Sequence, residues 1–107
     1  MSSTRTVRPA PSDGLLEDLA PVLRVLGHAD RLRIVSMLQR ERRIAVGDIA
    51  RRLGLAPNAV SQHLGIMLAH GIVSRERDGR RVHYAVVHPA AVSLLECMRR
   101  QLAGGEA

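Results

Sequence analysis

Lysine, phenylalanine and tryptophan are absent from this chain, and cysteine and tyrosine occur once each. Each absence excludes something. With Tyr84 the only aromatic, a core must be built from Leu, Val, Ile, Ala and Met. Aromatic side chains bury the most area per residue, so a lone monomer of 107 residues is marginal. A subunit interface would relieve that shortage. The single cysteine, Cys97, rules out an internal disulfide framework and a cysteine-rich metal cluster within one chain. The N-terminal residues carry no apolar run, and no stretch approaches the length that crosses a membrane. A cytoplasmic protein is expected. There is no glycine-rich phosphate loop, no paired carboxylate site and no nucleophile–base pair, which argues against an enzyme.

What is present is arginine. All 16 basic residues are Arg, and the net charge is +6. A basic balance on a small domain points to a polyanionic partner, most often nucleic acid. The planar guanidinium fork suits phosphate and guanine edges. Codon bias with an ordinary solvated surface gives the same composition, so position has to decide.

Residues 1–13 are rich in Ser, Thr, Pro and Arg and read as a disordered basic arm, with Arg5 and Arg8 as backbone-touching candidates. Residues 14–103 form the domain, and 104–107 (GGEA) a frayed tail. Leu15, Leu19, Val22, Leu23 and Leu26 recur on one helical face, capped by Ser12 or Asp13 and ended by Gly27. Pro21 falls inside this pattern, so the helix should kink there or begin near it. A second helix runs from Asp30 to Arg40, with Leu32, Ile34, Val35 and Leu38 inward.

A short helix over 46–53, with Ile49, Ala50 and Leu53 inward, ends at Gly54. Another over 57–69 starts at Pro57, carries the stripe Val60, Leu64, Met67 and Leu68, and stops at Gly71. The period then changes. Ile72 and Val73 open a strand, Asp78-Gly79 is a strong hairpin signal, and Val82, Tyr84 and Val86 alternate on the return. After His88-Pro89, a last helix carries Ala91, Leu95, Met98 and Leu102 at helical spacing. The fold class is therefore mainly α with a small β-hairpin.

Two helices joined by a tight turn make a helix-turn-helix, whose second helix enters the major groove with its early residues on base edges. Here those positions hold Asn58, Ser61, Gln62 and His63, short polar groups suited to reading bases. A solvated helix face is the plain alternative. Arg75, Arg77, Arg80 and Arg81 cluster around the hairpin, the first two on one strand face and the others at the tip. Beside a helix-turn-helix such a hairpin is a wing that reaches phosphates or a narrow minor groove. Arg51 and Arg52 are further backbone candidates, while Arg40, Arg42 and Arg43 are either that or merely solvated.

The run LGHADRLRIVSML (26–38), and the stretch 46–86 with Ser61-Gln62-His63-Leu64, resemble the ArsR/SmtB family of winged-helix repressors. The resemblance covers about residues 15–102 and is most specific in the DNA-binding part. It implies a homodimer through the first and last helices, with Leu15, Leu19, Leu95, Met98 and Leu102 at the interface. It also implies that each protomer reads one half of an inverted repeat on double-stranded DNA through Ser61, Gln62 and His63. Repression would be relieved by an inducer.

Many members of that family bind metal through a cysteine at the start of the first helix of the pair. The matching stretch here, Ala45-Val46-Gly47, has no thiolate. A second family site, on the last helix, needs His and carboxylate pairs that this chain lacks. No pair among His28, His63, His70, His83 and His88 has ligand spacing, so no metal site or cofactor is assigned. His28 reads as structural or surface, His70 as a helix-end residue, His83 as exposed and His88 as a helix start. Cys97 reads as buried at the edge of the last helix's apolar face. Arg99 and Arg100 beside it leave a thiol redox role open. The inducer (small molecule, oxidant or metal) is not legible. A winged helix used only for protein interaction is the rival reading.

Overall fold

The computed structural model describes residues 8–105, with side chains through Gln101. Arg5, the side chain of Leu102, and residues 106–107 lie outside the described residues. The order is α1 (Asp13–Leu26), α2 (Ala29–Arg40), α3 (Val46–Leu53), α4 (Pro57–Ala69), β1 (Val73–Asp78), β2 (Arg81–Val86) and α5 (Pro89–Gly105). This is a winged helix-turn-helix.

α1 begins where Ser12 Oγ accepts the Leu15 N–H at 3.2 Å. The helix runs unbroken through Pro21. Proline has no N–H to give the Glu17 carbonyl one turn back, and Glu17 lies on the exposed side of the helix, where solvent reaches it. The expected apolar face divides. Val22, Val25 and Leu26 are buried on the chain's own core, whereas Leu15 (47%), Leu16 (49%) and Leu23 (54%) face solvent.

His28 caps α2, its Nδ1 accepting the Asp30 N–H at 3.2 Å. His88 opens α5 in the same way toward Ala90 N–H at 3.1 Å. Both histidines thus take the role that Ser or Asp usually fills at a helix start. The core gathers Ile34, Val35 and Leu38 of α2, Ile49 of α3, and Val60, Leu64 and Met67 of α4. Ile72 and Val73 close it, and Ala91, Leu94 and Leu95 dock α5 on it. No polar or charged residue is buried among the described residues.

β1 and β2 pair antiparallel, from Val73 opposite Val86 to Asp78 opposite Arg81. The two turn residues are therefore Gly79 and Arg80, one position later than the Asp78-Gly79 signal implied. The reason is backbone handedness. Gly79 takes φ +64 at the first central position, the place where a two-residue hairpin of this kind needs glycine. At the other end β1 starts at Val73 and not Ile72. Ile72 keeps its carbonyl for the N–H groups of Val87 (2.9 Å) and His88 (3.2 Å).

α5 takes in Gly104 and Gly105, two residues beyond the expected domain end. Two further expectations are corrected. Cys97 is exposed, because the buried side of α5 is confined to Ala91 and Leu95 with Leu94 beside them. His83 is half-buried, with neither ring nitrogen finding a partner among the described residues. It stands opposite Glu76 in the cleft between the hairpin and α2.

Candidate nucleic-acid interface

The turn between α3 and α4 sets the angle of the reading helix. Gly54 ends α3 in the left-handed region at φ +68, and the Leu55 N–H returns to the Ala50 carbonyl at 2.9 Å. Pro57 at the start of α4 has no N–H to leave unsatisfied. Neither α3 nor α4 has a side-chain cap, since Ala45 and Ala56 precede them. The third residue of each helix, Asp48 and Ala59, donates its N–H instead to the Ala45 and Ala56 carbonyls, at 3.0 Å in both cases.

On α4, Val60, Leu64 and Met67 are fully buried. Asn58, Ser61 and Gln62 are exposed, as expected. Gly65 shares their side of the helix, three residues past Gln62 and four past Ser61. An added Cβ there would meet nothing within 4 Å, so packing does not require glycine at this place. The α4 backbone is bare and exposed at this position. Ile66, 37% exposed, is the one large apolar group on this side.

His63 does not join them. It lies three residues after Val60 and four before Met67, on the flank of the buried stripe, and is half-buried. Its Nδ1 accepts from Arg31 Nε at 3.2 Å. Arg31 also donates from Nη1 to the Val25 carbonyl at 3.1 Å, so one guanidinium ties the end of α1 to α4. The His63 ring meets His28 edge to face, with centroids 4.7 Å apart. Burial, then the neighbouring His28 and Arg31, hold the His63 pKa below its ordinary value, against a smaller opposing pull from Asp30. A neutral ring is what an always-protonated arginine requires opposite it.

The arginines divide into engaged and free. Arg51 pairs with Asp48 at 2.7 Å, and Arg52 pairs with Glu41. The Glu41 hydrogen bond and charge raise the Arg52 pKa. Both pairs are solvent-exposed and worth little, so phosphate can replace the carboxylate. Arg75, Arg77, Arg80 and Arg81 are exposed and make no ion pair among the described residues. Arg75 and Arg77 share one face of the hairpin, opposite Tyr84 and Val82, while Arg80 sits in the turn and Arg81 opens the return strand. Arg43, at φ +66 in the turn after α2, reaches Asp78 at 3.8 Å and links that turn to the wing. On α5, Arg99 is held by Glu96 at 2.7 Å.

Comparison with known proteins agrees with this geometry. A helix-turn-helix domain family model matches residues 26–76. The HTH-type transcriptional regulator YgaV of Escherichia coli is 30% identical over 83 residues, 78% of this chain and 84% of that protein. The chain belongs to the ArsR/SmtB-type winged-helix transcriptional regulators. Among solved structures, the transcriptional repressor PagR of Bacillus anthracis is similar at TM-score 0.73 and 30% identity, with 81% of this chain and 99% of that one covered. Reduced HlyU from Vibrio cholerae matches at TM-score 0.76 and 25% identity, covering 83% and 93%. This regulator is accordingly a DNA-binding protein of transcription and not an enzyme.

Sequence reasoning missed three partners in this regulator: His28, Asp30 and Arg31, all at or near the start of α2. Arg31 and His63 stand 32 residues apart, so no local spacing announces their contact. No helix among the described residues is long and apolar enough to cross a membrane.

Proposed function

We propose that this regulator is a cytoplasmic, homodimeric repressor that reads an inverted-repeat operator, each protomer placing Asn58, Ser61 and Gln62 on base edges. The supporting observation is one exposed polar row on α4, with Gly65 beside it, flanked by a wing whose four arginines make no ion pair among the described residues. Arg75, Arg77, Arg80 and Arg81 grip phosphate, with Arg51 and Arg52 joining once they exchange Asp48 and Glu41 for the backbone. His63 supports the reading face from behind and does not touch a base.

Dimerisation is supported by Leu15, Leu16 and Leu23 on α1 and Met98 on α5, apolar groups left in solvent by a protomer short of aromatic burial. Leu19 and Leu95 flank them from the half-buried and buried sides. Leu102 extends the same α5 spacing. The names of PagR and of the biofilm growth-associated repressor of Xylella fastidiosa support the sign of regulation. A protein-docking role for α4 finds little support, because such surfaces concentrate apolar and aromatic anchors and this one offers Ile66 alone.

The test is binding of the full chain to DNA upstream of its own gene, against scrambled DNA of equal length. Tight binding of two protomers to one site, with affinity falling steeply as salt rises, is the expected result. Equal affinity for scrambled DNA would remove the reading role.

A further inference from the structure

His28, Asp30 and His63 come from two separate places in the chain and meet where α2 begins beside α4. One ligating atom from each lies within 4.8 Å of the others. We propose that these three residues bind a divalent transition-metal ion, and that its binding releases Arg31 from the reading helix.

Two imidazoles and a carboxylate are a donor set suited to zinc, cobalt or nickel, and three protein ligands leave a further position for water. Metal–nitrogen bonds of about 2.0–2.1 Å put the ligand atoms of a tetrahedral site roughly 3.4 Å apart. The three groups must therefore close by little more than an ångström. His28 is exposed, and its ring is held only by the Asp30 N–H and the edge contact with His63, so a small rotation of the ring supplies that movement. Asp30 gives one oxygen to Arg33 at 2.7 Å and keeps the other. That ion pair is exposed, so it opposes metal only weakly.

The coupling follows from the tautomers. Arg31 always carries its proton, so it donates and His63 Nδ1 accepts. The Asp30 N–H likewise donates to His28 Nδ1. Each ring then carries its own proton on Nε2, and a protonated ring nitrogen cannot ligate. Metal has two routes to His63. It takes Nδ1 and displaces Arg31, or it takes Nε2 after the ring proton has moved to Nδ1, where it faces the Arg31 donor. Both routes end the Arg31–His63 hydrogen bond. Arg31 is also the link from α4 to the Val25 carbonyl, so the metal loosens the hold of α1 on the reading helix. The effect on operator affinity rests on the proposed function above, whereas the binding itself does not.

Cobalt(II) is the probe, added to the metal-free full chain, with zinc(II) as competitor. One cobalt per chain should bind with visible d–d absorption, and zinc should displace it. His28→Ser keeps a capping oxygen for α2 while removing the imidazole, so it should stay folded and bind at least tenfold more weakly. Asp30→Asn should weaken binding as well. Arg31→Met removes the competing donor and a positive charge and should bind several-fold more tightly, a gain that a merely structural arginine would not produce. Unaltered cobalt binding in His28→Ser would overturn the proposal, and so would the absence of a stoichiometric band in the parent chain. These outcomes stand whether or not the chain reads DNA. A metal-bound chain whose operator affinity equals that of the metal-free chain would remove the release of α4.

Discussion

Gln62 and His63 are consecutive residues with opposite surroundings, and the substitutions should separate accordingly. Gln62 is exposed and touches nothing the fold needs. Gln62→Ala should leave the melting temperature unchanged and cost about 1–3 kcal/mol on the cognate operator, with scrambled DNA bound as before. Competition binding measures this. Arg80→Ala should instead weaken every sequence alike and lower the salt slope by about one per protomer. His63→Ala should act on the fold first, because it removes the acceptor of Arg31. The lowered His63 pKa also fixes a sign. The folded state prefers the neutral ring, so below the ordinary value of 6.5 the unfolded chain takes up the proton first. Stability from this residue is present above pH 6.5 and is lost as pH falls through the lowered folded value. In chelator-containing buffer, thermal melts of the parent should fall more steeply over that window than those of His63→Gln. Parallel curves would contradict it. The polar row was legible at this scale from helical spacing alone. The turning aside of His63 was not, because its partners lie across the fold.

The elements were read well where the signals are local. α3, the Gly54 turn and α4 stand where periodicity, Pro57 and two glycines placed them. The hairpin turn came out one residue later, since Asp78-Gly79 and Gly79-Arg80 both contain the glycine and only backbone handedness chooses between them. The burial of Cys97 was misjudged because helical spacing defines a stripe but not how much of it the core covers. A pair of glycine substitutions tests the helix-turn-helix directly. Gly54→Ala should destabilise by about 1 kcal/mol, from the positive φ alone, with no steric contact to relieve. Gly65→Ala should stabilise by about 0.5–1 kcal/mol through helix propensity and yet weaken operator binding, because a methyl now stands on the reading side. Denaturant melts and DNA titrations of both variants separate the two effects.

The whole protomer leaves Leu15, Leu16 and Leu23 of α1 in solvent, and composition had already shown why one chain is short of burial. A charge placed there should prevent assembly without entering the protomer core. Leu23→Glu is expected to sediment as a monomer and to lose operator affinity by more than tenfold, since two half-sites no longer bind as one. The parent should sediment as a dimer, and a monomeric parent would contradict the proposed assembly. The central claim is that two protomers read DNA through the exposed row of α4 and grip it through the arginine wing. Titration of the parent, Gln62→Ala and Arg80→Ala on operator and scrambled DNA, across a range of salt, tests it most directly. The account predicts specificity lost with slope kept in Gln62→Ala, and slope reduced with specificity kept in Arg80→Ala. The same loss for both variants on both DNAs would contradict it.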